Sequence, residues 1–171
     1  MPVLRIIYKR QDVARFISVN YIGKIFERAM RRLQVDLEFS HGYSRRVKMS
    51  LGPPIAVGIS GINEIVDIYV VNMDISADFI KKNLNEILPN GLNIEECHYL
   101  KDNEKSPPEI KKARYIIKRF SNTIGDVPES WSIIGRTKDM IEIEVCIEKF
   151  RHRVLFDVFG TTCLIERKLI F

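Results

Sequence analysis

Across the first hundred residues the apolar positions switch repeatedly between a period of two and a period of 3.6, which limits the chain to strands layered with helices. Residues 3–9, VLRIIYK, place Leu4, Ile6 and Tyr8 on one face, as a strand does. Ser18 stands at an N-cap position. From there Ile22, Ile25, Phe26, Ala29, Met30 and Leu33 form one stripe at helical spacing. Val35, Leu37 and Phe39 alternate with Asp36, Glu38 and Ser40, a half-buried strand that stops at His41-Gly42. A short apolar run at 49–51, the breaker-rich stretch GPPIAVGISG and a strong strand at 65–71 follow. Ser76 opens a second helix that buries Ala77, Ile80, Leu84, Ile87 and Leu88 and halts at Pro89-Asn90-Gly91. Residues 93–100 form a last strand of this half. The order predicts an α+β fold whose N-terminal part, 1–100, is a ferredoxin-like split βαβ unit.

Residues 101–112, KDNEKSPPEIKK, have the polar, proline-containing chemistry of a linker. Beyond them, 113–119, 140–147, 153–159 and 164–171 alternate as strands, most plainly Ile141, Ile143, Val145 and Ile147 against Glu142, Glu144 and Cys146. Residues 121–131 suggest a short helix with Trp131 as a core anchor. The expectation for 113–171 is a smaller, β-rich subdomain packed on the first.

The chain has 171 residues and 46% hydrophobic residues, enough for a real core without disulfides. No apolar run approaches the roughly 20 residues that span a bilayer. The start, MPVLRIIYKRQ, lacks the order of charge and apolar core that a secretory signal needs, so a cytoplasmic protein is expected. Cys97, Cys146 and Cys163 are far apart and contain no C-x-x-C pair. They read as small hydrophobes, and no metal or cofactor is expected.

The charge is asymmetric. Residues 1–70 hold eleven Lys or Arg against six Asp or Glu, so the whole excess of +5 lies there. Arg28, Arg31 and Arg32 share the solvent side of the first helix with Lys24, and only Glu27 offsets them locally. The loop HGYSRRVK adds Tyr43, Arg45, Arg46 and Lys48. Clustered like charges suit a polyanion partner, although a helix facing water must also show polar groups.

His41 is the one catalytic candidate, because an imidazole beside several cations is the minimum for metal-independent RNA cleavage. A polar turn residue is the plainer alternative. His152, between Phe150 and Arg153, reads as a surface turn. Glu64 and Asp67 fall on opposite faces of a regular strand, so they suit salt bridges to helix arginines better than paired acid-base work. Glycines 52, 58 and 61 match no phosphate-binding loop.

The stretch RFISVNYIGKIFERAMRRLQ, then Ser40-x-Gly42-Tyr43, VKMSLGPPIAVGIS, and Glu64 with Asp67, resembles the uncharacterised radical-SAM-linked protein family, domain of unknown function 2344. Arg15, Phe16, Ser18, Arg28, Ala29, Arg31, Arg32, Gly42, Lys48, Ser50, Pro54, Gly58, Glu64 and Asp67 keep that pattern. Val19, Tyr21 and Arg46 stand where it has His, Asp and His, so proton transfer or metal binding by those groups is lost here. The chain has no C-x-x-x-C-x-x-C cluster motif and is not itself a radical SAM enzyme. The resemblance implies association with a radical SAM protein, and together with the basic face it suggests a non-catalytic accessory protein, with RNA cleavage through His41 the lesser alternative. Either it binds RNA or another polyanion through Arg28, Arg31, Arg32, Tyr43, Arg45, Arg46 and Lys48, or it docks a radical SAM protein through the same face.

Overall fold

A computed structural model describes residues 1–118, 127–160 and 162–171. The fold is mixed α and β, with three helices and one eight-stranded sheet among the described residues. The chain runs β1 (Val3–Arg10), α1 (Val19–Arg32), β2 (Met49–Leu51), β3 (Ser60–Tyr69), α2 (Ala77–Ile87), β4 (Leu92–Tyr99), β5 (Lys112–Lys118), β6 (Ser132–Arg136), β7 (Met140–Cys146), α3 (His152–Phe159) and β8 (Leu164–Ile170). A 3-10 turn at Asp12–Phe16 links β1 to α1. The sheet order is β4-β1-β3-β8-β5-β7-β6, with β2 also paired to β3.

β1 lies between β3 and β4, antiparallel to both. Leu4, Ile6 and Tyr8 pack toward α1 and α2 with Val66 and Ile68 of β3, as the alternation requires. Phe26 of α1 meets Tyr8 edge to face at 5.1 Å between ring centroids. The helical stripe is buried as expected, through Ile22, Phe26, Ala29 and Met30. Ser18 sits at the N-cap of α1 but makes no side-chain cap bond, whereas the Ser76 hydroxyl accepts from the Phe79 amide and caps α2. The expected strand at 35–39 is reduced to two isolated bridges, Leu37 with Val70 and Phe39 with Val47.

A second apolar cluster joins Ile55, Ile59 and Ile65 to Tyr115, Ile117, Ile143, Leu155, Phe159 and Leu169. β3 thus serves both cores, with Ile65 on one face and Val66 on the other. β8 joins the halves: it runs parallel to β3 through Ser60 with Glu166 and Gly61 with Arg167, and antiparallel to β5 along its length. The 101–112 segment is tied down by Arg5, whose Nη2 donates to the Lys105 carbonyl at 2.7 Å, and by the Tyr69 hydroxyl, 3.2 Å from Ser106 Oγ.

One expected strand is a helix. Residues 152–159 form α3 because Leu155, Val158 and Phe159 bury one side at i, i+3 and i+4. The run V-L-F-D-V-F fits either period when read alone. His152 is accordingly not a surface turn but the first residue of that helix. Of the short helix expected at 121–131, residues 121–126 lie outside the described residues. Trp131 does pack on the second core, 5.5 Å from the Phe150 ring.

Candidate functional site

The cations of α1 divide among three grooves. Lys24 and Glu27 line a cleft of about 590 Å³ with Arg46 from the loop and with Met49 and Leu51, so helix and loop do meet there. Arg31 takes the next side: its guanidinium lies over the Phe39 ring at 5.1 Å and bonds Glu27 at 3.0 Å. Arg28 and Arg32, four apart, line a separate groove against Ile87, Leu88 and Pro89 at the end of α2. Lys48 turns onto the Tyr69 ring, with Nζ 4.5 Å from its centroid.

The loop is closed at its base by Ser40. Its amide donates to the Arg46 carbonyl at 2.8 Å and its hydroxyl accepts from the Arg46 amide at 3.1 Å. Gly42, at φ 137°, makes a turn that a side chain would strain. Everything from His41 to Arg46 projects into solvent, and Tyr43 is fully exposed at 110%. His41 has no hydrogen-bond or ion-pair partner among the described residues.

Ion pairing differs between β5 and the basic helix and loop. On the sheet, Lys112 pairs with Glu144, Arg114 with Glu142 and Glu144, and Lys118 with Glu166. On the helix and loop, only Arg31 has a carboxylate within salt-bridge distance among the described residues. Lys24, Arg28, Arg32, Arg45, Arg46 and Lys48 have none.

Glu64 and Asp67 do form salt bridges, but with strand arginines rather than helix arginines. Asp67 accepts from Arg5 Nε and Nη2, both at 2.8 Å, as its cross-strand neighbour. Glu64 is held by Arg167 of β8, which is fully buried. An irregular register between β1 and β3 lets Gly61 face Arg10, and the Glu64 side chain lies across Gly61. The two carboxylates therefore serve separate guanidiniums.

Sequence reasoning missed Arg10, Arg167, Tyr115 and His152 as polar members of the interior. Their signal was available: Arg10 continues the register of Leu4, Ile6 and Tyr8, and Arg167 sits between Ile165 and Leu169. A charged residue in the apolar register of a strand needs a buried partner. Arg167 has Glu64 and the carbonyls of Pro53 and Pro54. Arg10 donates to the Arg15 carbonyl at 2.6 Å, while its Nε has no partner among the described residues.

Above Arg167 a cavity of about 280 Å³ opens at the start of α3, lined by Pro54, Tyr115, Phe150, Arg151 and His152. The Tyr115 hydroxyl and His152 Nε2 share a hydrogen bond of 2.9 Å. Phe150 stacks on Tyr115 at 4.8 Å and meets His152 edge-on at 5.2 Å. Burial, with the Arg167 charge beside it, lowers the His152 pKa to about 4. Burial likewise pushes the Tyr115 phenol up to about 12, so both groups are neutral near pH 7. The Cys97 thiol, also pushed up to about 12 by burial, is no nucleophile.

The family described as "Uncharacterized protein conserved in bacteria (DUF2344)" matches residues 4–157, from β1 through most of α3. The chain belongs to this family. No curated protein matches it. The DUF2344 match contains the basic helix and loop, both buried carboxylates, and Tyr115, Phe150 and His152; Arg167 lies beyond it. No helix among the described residues is long and apolar enough to cross a membrane.

Proposed function

We propose that the chain is a cytoplasmic RNA-binding accessory protein of the radical-SAM-linked type, divergent at Val19, Tyr21 and Arg46, that holds phosphates along α1 and the 41–48 loop. We also read residues 1–100 as a ferredoxin-like unit, supported by the antiparallel order β4-β1-β3-β2.

One observation carries the binding reading. Lys112, Arg114 and Lys118 on the sheet each have a carboxylate partner, while Lys24, Arg28, Arg32, Arg45, Arg46 and Lys48 of the helix and loop are exposed with no carboxylate within salt-bridge distance among the described residues. Six unpaired cations gathered on one helix and the adjoining loop repel one another, a cost that interspersed carboxylates would remove and that a phosphate partner relieves. Arg46 and Lys24 supply a shared cleft, Arg28 and Arg32 a second pair of hands, and Arg45 and Tyr43 a projecting tip. Tyr43 offers a free ring face on which an unpaired base can stack.

Anisotropy titrations with single-stranded and hairpin RNA at several salt concentrations test this. Binding should weaken steeply with salt, and each lost phosphate contact should lower the log-log slope by about one. Equal binding by an Arg31→Ala, Arg32→Ala, Arg45→Ala, Arg46→Ala variant defeats the proposal.

A second reading, docking to a radical SAM protein, draws support from exposed Val13, Phe16 and Val57 beside the 3-10 turn, where the Gly58 amide donates to the Arg15 carbonyl. Recovery of a cluster-containing protein with the chain after nuclease treatment favours docking. Nucleic acid in the untreated preparation favours RNA.

A further inference from the structure

The cavity at the start of α3 has the make-up of a ligand site separate from the basic face. Its walls are largely apolar: the faces of Tyr115, Phe150 and His152, with Pro54 closing one side. Two polar atoms, the Tyr115 hydroxyl and the His152 ring nitrogen, sit together at 2.9 Å within that lining. The charged side chains of its lining, Arg151 and Arg167, are of one sign. Arg151 is exposed at the rim, and its only described hydrogen bond is a long one, 3.3 Å, to the carbonyl of Phe150 beside it. Arg167 forms part of the lining but is committed to Glu64, Pro53 and Pro54, so it contributes field rather than a free donor. Behind it Arg10 is buried as well, and among the described residues Glu64 is the only buried carboxylate beside these two guanidiniums. The interior next to the cavity therefore carries one more positive charge than negative.

We propose that this cavity binds a small organic carboxylate carried on a flat apolar body. Arg151 supplies the movable guanidinium that pairs with the carboxylate, in the geometry that favours Arg over Lys for such groups. With His152 in its Nε2–H tautomer, the Tyr115 hydroxyl accepts from that ring and is free to donate its proton to the carboxylate as a second polar contact. The rings of Phe150 and His152 take the apolar body. A cation is refused by Arg151 and Arg167. Bare phosphate fits poorly, because the aromatic walls would strip its water without returning hydrogen bonds. A volume near 280 Å³ is at the lower bound of ordinary small-molecule sites and suits a single-ring acid.

His152 reports occupancy directly. The titratable and charged groups around it are Tyr115, Arg151 and Arg167, with Glu64 behind the last. A bound anion adds a negative charge to that set and favours the protonated ring. The experiment is ring-proton NMR of the full chain titrated with benzoate, with benzamide and inorganic phosphate as probes of charge and of body. The chain has three histidines, so His41 and His98 act as internal controls. Benzoate should shift the His152 signals saturably and raise their titration midpoint while leaving the other two unmoved. Arg151→Ala, a change at an exposed rim position, should weaken benzoate roughly tenfold or more. A Tyr115→Phe variant should keep the fold and weaken benzoate less. No saturable shift with benzoate, an equal response to benzamide or to phosphate, or an unaltered Arg151→Ala titration overturns the proposal.

Discussion

Arg167 and Glu64, 103 positions apart in the chain, meet side by side in the interior, with Nε of the guanidinium donating to Oε1 at 3.0 Å and Nη2 donating to Oε2. The pair bridges β8 to β3 at the point where those strands run parallel for only two residue pairs. Removing one partner leaves an uncompensated buried charge. Glu64→Gln and Arg167→Met should each lower stability by about 3–5 kcal/mol, whereas the two changes combined should cost less than the single changes summed. Urea unfolding of the three variants checks both statements.

Gly61 makes room for that pair. A Cβ at this position would overlap the Glu64 side chain, coming within 2.6 Å of Oε1. Gly61→Ala should therefore dislodge the carboxylate and destabilise by about 1–3 kcal/mol, although alanine suits a strand better than glycine does. Combined with Glu64→Ala, the same substitution should lose most of its effect. A double-mutant cycle by chemical denaturation measures the coupling.

His152 predicts an acid-sensitive fold. Unfolded, its imidazole takes up a proton near pH 6.5, but in the folded chain not until about pH 4. Between those values the unfolded state binds the additional proton, so stability present above pH 6.5 is lost as the pH falls toward 4. After allowance for the partly open side of the ring, the loss from this group is about 1–3 kcal/mol. His152→Gln should flatten the stability profile across that window, read from urea midpoints at several pH values.

Glu27 tempers the basic face, because it holds Arg31 through an i, i+4 bridge. Glu27→Gln should cost the helix only about 0.3–0.5 kcal/mol. On the proposed function it should also strengthen RNA binding at low salt by releasing Arg31 and removing an acid from the Lys24–Arg46 cleft. Anisotropy at matched salt is the measurement; weaker binding would show that the bridge positions Arg31 for contact.

The elements with a long, unbroken period were legible. α1, α2, β1, β4, β5, β7 and β8 lie within a residue or two of where the apolar pattern puts them, since burial of one face is what selects both pattern and structure. Failures came where the pattern was short or doubled. α3 offers eight residues that satisfy two periods, and β6 carries Ile133 and Ile134 in succession across a register shift, so alternation breaks where the strand does. Of the site, the sequence showed which cations cluster but not how α1 divides them, because the groove each one joins depends on Phe39, Pro89 and Met49 from other elements. The cavity beside α3 was illegible for the same reason. Pro54, Tyr115, His152 and Arg167 converge only through the parallel pairing of β3 with β8 and the return of α3 onto β5.

Of the eight strands, β8 leaves the ribosome last, yet its place is between β3 and β5. The earlier strands β1–β4 emerge with a core of their own, and β5–β7 can pair as they appear. Until β8 arrives, Glu64 has no guanidinium, and the flanks of β3 and β5 that await it are open. A nascent chain halted before β8 would therefore show one side of β5 and the first residues of β3 as unpaired edges, the kind of surface onto which another strand can zip.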